Sequence, residues 1–251
     1  MNHVFSPSYK RASIACVHKI MPFVTYVVSE DEADEYRKIH DKVWSVPRTA
    51  QGSVAKIRNY ILDNAVTDHI LMVDDDITAI KSFDGTKSRA RKLTADEIEH
   101  VIEKGMIMCE DFGFRFWGLN IVADTGAYRE YTPIGLTQFI GGPWQGHYKN
   151  ELRYDENLPL KEDYDMTLQV LNKYRMNLRL NMYHYVCDQH GKPGGCATYR
   201  TVERERKQNE LFRKKWGSKI VRLDSGASKV NRKKEIAYDI NSVIKPPIKG
   251  V

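Results

Sequence analysis

The chain is 251 residues long, 41% hydrophobic and 29% charged with the two signs mixed, and it carries 16 Gly without any Pro/Gly/Ser tract. This composition excludes a disordered or fibrous protein, and no self-similarity at a period of about 20 to 50 residues marks a repeat array, so one compact domain with a sizeable core is expected. The net charge of +6 is unevenly spread: Arg200 to Lys234 holds 13 Lys/Arg against 4 Asp/Glu, a local +9 that leaves the rest of the chain at −3.

The longest apolar runs, such as Ile70-Leu71-Met72-Val73, are strand-sized and far below the roughly 20 residues of a membrane helix. The segment MNHVFSPSYKRASIACVHKIMPFV lacks the apolar block and cleavage site of a secretory signal, so the expected location is the cytoplasm, with no membrane partner. Cys16, Cys109, Cys187 and Cys196 form no C-x-x-C pair and have no His at zinc-finger spacing, which predicts reduced thiols.

In chain order, the β-branched and aromatic Phe23 to Val28 predicts a first strand, and the acidic Glu30 to Ile39 a first helix. Val54, Ile57, Ile61 and Ala65 recur at helical spacing across Ser53 to Ala65, and His69 to Val73 reads as a buried strand that stops at three aspartates. Thr94 and Glu97 form a capping-box pattern ahead of a helix running to about Cys109. Phe114 to Val122 reads as a strand, another short strand is expected to end at Gly141-Gly142, a helix begins near Lys161, and Asn177 to Val186 is extended. Strands alternating with helices predict an α/β/α sandwich on a mainly parallel sheet, whose ligands bind beyond the carboxyl ends of the strands.

Asp74-Asp75-Asp76 falls at such an end, and three adjacent carboxylates repel one another unless a cation or a donor-rich ligand sits among them. An EF-hand does not fit the residues that follow, and hard oxygen ligands suit Mg²⁺ or Mn²⁺ bridging a diphosphate; an acidic turn is the plainer alternative. One element earlier, Lys56 and Arg58 near a helix start are candidate phosphate or base contacts. Glu162 and Asp163 open a helix, where acidic residues either complement the dipole or act as a general base towards an alcohol. His190 beside the glycine-rich Gly191 to Gly195 is a candidate to complete a metal site or to close over phosphates, a structural histidine being the plainer alternative. Trp144, within Gly141 to His147, is either a core residue or a stacking platform for a sugar or base, with Tyr148 next to that stretch. Arg213, Lys214 and Lys215 lie in the basic segment, which reads as a solvated helix face, a polyanion surface or a clamp on a phosphorylated small molecule.

Taken together, these motifs resemble nucleotide-sugar glycosyltransferases of the GT-A fold. The likeness runs from about Phe23 to Gly217 and rests on Gly52 to Asn59, on the aspartate run in the position of the family's DxD motif, on the Gly-Gly element, on Glu162-Asp163 and on Lys215-Trp216-Gly217. Within the family the chain looks most like TET-associated and phage enzymes that decorate modified DNA bases. The resemblance implies a Rossmann-like glycosyltransferase domain over residues 1–217 with a basic extension over 218–251 packed on it or trailing it. It also implies a UDP-sugar donor, a Mn²⁺ or Mg²⁺ cofactor, and a hydroxymethylated pyrimidine in DNA as acceptor, within a host cytoplasm if the protein is phage-encoded. Asp74, Asp75, Lys56, Arg58 and Lys192 would then serve the donor, Asp76 and Asp74 with His190 the metal, Asp163 the base with Glu162 orienting it, and Trp144, Tyr148, Arg213, Lys214 and Lys215 the acceptor. The alternatives are a protein or glycan acceptor, a sugar-nucleotide nucleotidyltransferase, and a nucleic-acid-binding module without catalysis.

Overall fold

The computed structural model describes residues 3–83, 90–124, 128–188, 194–223 and 242–246. Its centre is a ten-stranded sheet with nine strands in the order β3-β2-β1-β4-β9-β7-β10-β5-β6 and an additional strand, β8, on β10. The strands are β1 (Val4–Pro7), β2 (Thr25–Ser29), β3 (Val43–Val46), β4 (His69–Val73), β5 (Ile77–Phe83), β6 (Ala90–Lys92), β7 (Phe116–Asn120), β8 (Ile134–Gly135), β9 (Trp144–Tyr148) and β10 (Leu178–Cys187). The pairings orient seven of the ten one way, with β5, β8 and β9 reversed, so the sheet is mixed but mostly parallel, as expected from the alternation of strands and helices.

Side-chain alternation along the strands divides the core into two layers. Tyr26, Val28, Leu71 and Val73 point to the face covered by α1 (Ala33–Arg37) and α3 (Ala95–Phe112). Val27, Ile70 and Met72 point to the face covered by α2 (Val54–Asn64) and α4 (Glu162–Tyr174). The expected capping box starts α3: Glu97 N donates to Thr94 Oγ1 at 3.3 Å, and Thr94 N donates to the Glu97 carboxylate at 2.9 Å. Inside that helix Gly105 lets the backbone ride over the buried Trp117, since a Cβ there would lie 2.6 Å from the indole ring.

Two expectations change. The first strand is β1, ahead of the segment that begins at Phe23. No strand ends at Gly141-Gly142: residues 136–143 are irregular and β9 starts after them, because Gly142 gives its N–H and C=O to side chains of the neighbouring helices instead of to a ladder.

α5 (Val202–Trp216) lies against α4, with Phe212 packed on Leu158 and Leu168. Beyond it, β11 (Val221–Leu223) pairs antiparallel with β12 (Ser242–Ile244), and Ser242 Oγ donates to Asn209 Oδ1 of α5 at 2.8 Å.

Candidate functional site

β4 delivers Asp74 to the edge where the parallel strands end, and the three aspartates leave it in different directions. Asp74 is half-buried and its Oδ1 accepts from Arg58 Nη2 at 3.2 Å. Asp75 is buried; Oδ1 accepts from Arg11 Nη1 at 2.7 Å and Oδ2 from Ser8 Oγ. Asp76 Oδ2 lies 3.6 Å from the same Arg11 nitrogen, the Cys187 thiol faces this carboxylate, and Oδ1 is buried with no hydrogen-bond partner among the described atoms. Burial and the neighbouring acids raise both Asp74 and Asp76 above the ordinary carboxylate range.

Arg58 ties this edge to α4. The Ser53 cap fixes the start of α2, and the stripe Val54, Ile57, Ile61 turns Arg58 inward, so that it is 2% exposed. Besides Asp74, its Nη2 donates to Gly142 O at 2.8 Å, and its Nη1 donates to Glu162 Oε1 at 3.2 Å and Gln145 Oε1 at 2.9 Å. Burial opposes its charge, but Tyr154, Asp74, Glu162 and Asp163 outweigh burial and hold it protonated. Lys56, two residues earlier, points to the other side of the helix and is exposed, so the structure does not bring it to the carboxylates.

At the start of α4, Asp163 Oδ2 accepts from Gly142 N at 3.1 Å and Oδ1 from Tyr164 N at 2.8 Å. Glu162 is buried against Arg58. Burial pushes both acids up; for Asp163 the two N–H donors and Arg58 only partly offset it. The Gly-Gly element is thus the hinge between the Asp74 edge and the Asp163 helix. Tyr185 presses on it closely enough that a Cβ on Gly141 would lie 2.4 Å from the phenol oxygen.

Among the described residues no three His, Cys, Asp or Glu side chains converge into a metal cage. The orphaned Asp76 Oδ1 beside half-exposed Asp74 fits a different arrangement, a hard divalent ion carried by one or two carboxylates and completed by diphosphate oxygens and water. His190 and Lys192 lie outside the described residues.

The acceptor candidates fare unevenly. Trp144 is 0% exposed, packed edge-on against Trp117 at 6.0 Å between centroids, and offers no ring face to a base. Tyr148 pairs with His69 at the far end of β4 and stacks on it at 4.4 Å, about 13 Å of strand from Val73. Lys215 is committed to Asp155 and Asp165, each at 2.8 Å, and Trp216 Nε1 donates to Asp165 at 2.7 Å, so this part of the basic segment holds α5 onto α4. Arg213 is half-buried, and Lys214 is exposed. Sequence reasoning missed Arg11, Ser8, Gln145 and Tyr185; the first two follow β1, whose short apolar run carries little signal.

No family model and no curated protein matches the chain. Among solved structures it is similar to S. aureus TarS 1-349, at 14% identity and a TM-score of 0.43 over 84% of this chain and 65% of that one. The complex of TarS 1-349 with UDP gives 13% and 0.42 over 85% and 66%. Glucosyl-3-phosphoglycerate synthase from Mycobacterium tuberculosis, in complex with Mg²⁺ and UDP, gives 9% and 0.48 over 97% and 86%. The chain thus spans just under two thirds of both TarS chains.

Proposed function

We propose that the protein is a GT-A-type glycosyltransferase that moves a sugar from a nucleotide-sugar donor, a UDP-sugar, to an acceptor hydroxyl. The observation that carries this reading is Asp163: a partly exposed carboxylate at a helix start, held by two backbone N–H groups, raised by burial, and linked through Gly142 and Arg58 to the Asp74 edge. Such a group accepts the proton of an acceptor hydroxyl as its oxygen attacks the anomeric carbon and the bond to the diphosphate breaks. Glu162, bonded to Arg58, orients that helix start. Asp74 would serve the donor, and Asp76 with Asp74 would hold Mg²⁺ or Mn²⁺; Asp75, expected on the donor side, is buried with both oxygens bonded to Arg11 and Ser8, so its part would be to hold Arg11 in place. The ion, when bound, neutralises charge on the departing diphosphate. Both terminal nitrogens of Arg58 are taken by protein groups and its Nε is buried, so its part is to set the carboxylates, not to reach a phosphate.

For the acceptor we propose a hydroxymethylated pyrimidine in DNA. Its support is the +9 of residues 200–234 together with exposed Arg204, Lys207 and Lys214, which share one face of α5. The test is mass spectrometry after incubation with a panel of sugar nucleotides and Mn²⁺, with and without hydroxymethylated DNA. Donor hydrolysis alone supports the transferase reading, a mass gain on the DNA supports the acceptor, and no donor turnover with any nucleotide sugar rejects the first reading.

A further inference from the structure

Behind Arg58 runs a buried polar chain that the proposed chemistry does not itself require. Leu152 N donates to Asn150 Oδ1 at 3.0 Å, which fixes the Asn150 amide so that its Nδ2 faces His147 Nδ1 at 3.0 Å. An amide N–H can only donate, so Nδ1 is the acceptor and His147 carries its proton on Nε2. Nε2 lies 2.9 Å from the Tyr154 oxygen, and Tyr154 in turn donates to Gln145 Oε1 at 2.8 Å. That same Oε1 accepts from Arg58 Nη1, which fixes the Gln145 amide as well. Every bond in the series therefore runs one way, from the Leu152 backbone to the oxygen that receives Arg58. His147, Tyr154 and Gln145 are all buried, and burial lowers the His147 pKa to about 3, which keeps its ring neutral.

The series is anchored to the helix that carries Arg58. Asn59, the next residue, donates from Nδ2 to Tyr154 O at 2.9 Å and accepts from Tyr154 N at 2.8 Å. The Arg58-Asn59 pair thus grips Tyr154 by its backbone and receives its hydroxyl through Gln145.

We propose that Asn150, His147, Tyr154 and Gln145 form a one-directional relay that positions Arg58, and through it Asp74 and Glu162; the catalytic consequence rests on the glycosyltransferase reading above. These are positioning residues, since none of them bonds to Asp74, Glu162 or Asp163 except through Arg58. A network serving only to satisfy buried polar groups would leave Arg58 unaffected by a change at its far end.

The experiment uses the full chain with ¹⁵N-labelled His and Arg. The wild type should show His147 protonated on Nε2 alone and slowly exchanging, distinct Nη signals for Arg58. Tyr154→Phe keeps the ring and removes the link; the Arg58 Nη signals should then average, and kcat for donor turnover should fall on the order of 10-fold to 100-fold with donor KM within about three-fold, the pattern of lost positioning. Asn150→Asp, at the half-exposed end of the series, tests polarity even if the first variant fails to fold. A carboxylate there draws the His147 proton to Nδ1, Tyr154 turns to donate to the bare Nε2, and Arg58 should show the same averaging. Unchanged Arg58 signals in a folded variant of either kind overturn the relay. If the wild type turns over no nucleotide sugar, the glycosyltransferase reading falls while the Arg58 spectra still decide the relay.

Discussion

Arg58 and Asp74 join two elements: Nη2, from the second turn of α2, donates to Oδ1 at the carboxyl end of β4 at 3.2 Å. The same guanidinium serves Glu162 at 3.2 Å. Replacing it by Met takes the counter-charge from two acids that burial already raises, so each is left unpaired or must take up a proton in a site only partly reached by water. Breaking a buried pair from one side costs about 3 to 5 kcal/mol, and because the Asp74 side chain is 32% exposed the low end, about 3 kcal/mol, is expected. Urea unfolding of Arg58→Met measures it, and a loss below about 1 kcal/mol would show that the acids are neutral in the native protein and need no cation.

Asp163→Asn keeps the shape of the side chain and an acceptor for Gly142 N–H but removes the basicity. Turnover should drop on the order of 10²-fold to 10⁴-fold with donor affinity nearly intact. Steady-state kinetics on hydroxymethylated DNA decides it. Turnover within a few-fold of wild type would make Asp163 a structural cap on the Gly-Gly element.

Asp76→Ala removes the buried oxygen that has no protein partner, so binding of UDP in the presence of Mn²⁺ or Mg²⁺ should weaken while binding without metal stays unchanged. Calorimetry with and without a chelator separates the two. Equal binding by mutant and wild type in metal would remove Asp76 from the metal assignment.

Much of this frame is legible in the chain. The helical stripe Val54, Ile57, Ile61 already places Arg58 beside the apolar face and Lys56 off it, although composition alone ranks the two alike. The α3 cap and the β4 run with its aspartates are local patterns and read correctly. Arg11 could not be found this way: it lies 64 residues before Asp75, and their contact depends on β1 lying beside β4, a pairing that no local pattern encodes. Trp144 stays ambiguous for a related reason: beside Gly and Pro it reads either as core or as a stacking platform, and its packing against Trp117 of β7, far off in the chain, decides for core.

The basic helix divides by function. Lys215 sits between Asp155 and the fully buried Asp165, so Lys215→Glu places like charges together and should lower the thermal midpoint whatever the acceptor. Arg204, Lys207 and Lys214 are exposed, and reversing all three to Glu should leave the midpoint near wild type. If DNA is the acceptor, the triple variant raises the DNA KM about ten-fold or more at low salt, with the donor KM unchanged, and the effect shrinks as salt rises. Unaltered DNA kinetics in the triple variant would sink the DNA proposal without touching the transferase one.

The titrating groups predict that activity is lost on acidification before the fold is. Burial raises Glu162 and Asp163 in the native state, so the base protonates at a pH above the ordinary carboxylate range of about 4, and turnover should fall from there. For stability the sign is reversed: between their unfolded and native pKa values the native state binds more protons than the unfolded one, so these acids add stability as pH falls, and the gain is complete near pH 4. Histidines oppose this. His147, lowered to about 3 by burial with Arg58 and Arg153 nearby, and His184, lowered to about 4 by burial and Lys81, stay neutral while the unfolded chain protonates below about 6.5, so each subtracts stability as pH falls from there. The two trends offset one another between about pH 6.5 and 4. Below that the His147 loss continues, and Glu97, lowered to about 2 by its bond to Arg91, Asp155, lowered by Lys215 against burial, and Glu151, lowered by Lys173, lose their pairs as they protonate. Thermal midpoints measured beside donor turnover should therefore stay nearly level while activity declines, then drop below about pH 4. A turnover midpoint near pH 4 would refute the raised base, and a thermal midpoint falling in step with activity would show that the lost activity is unfolding.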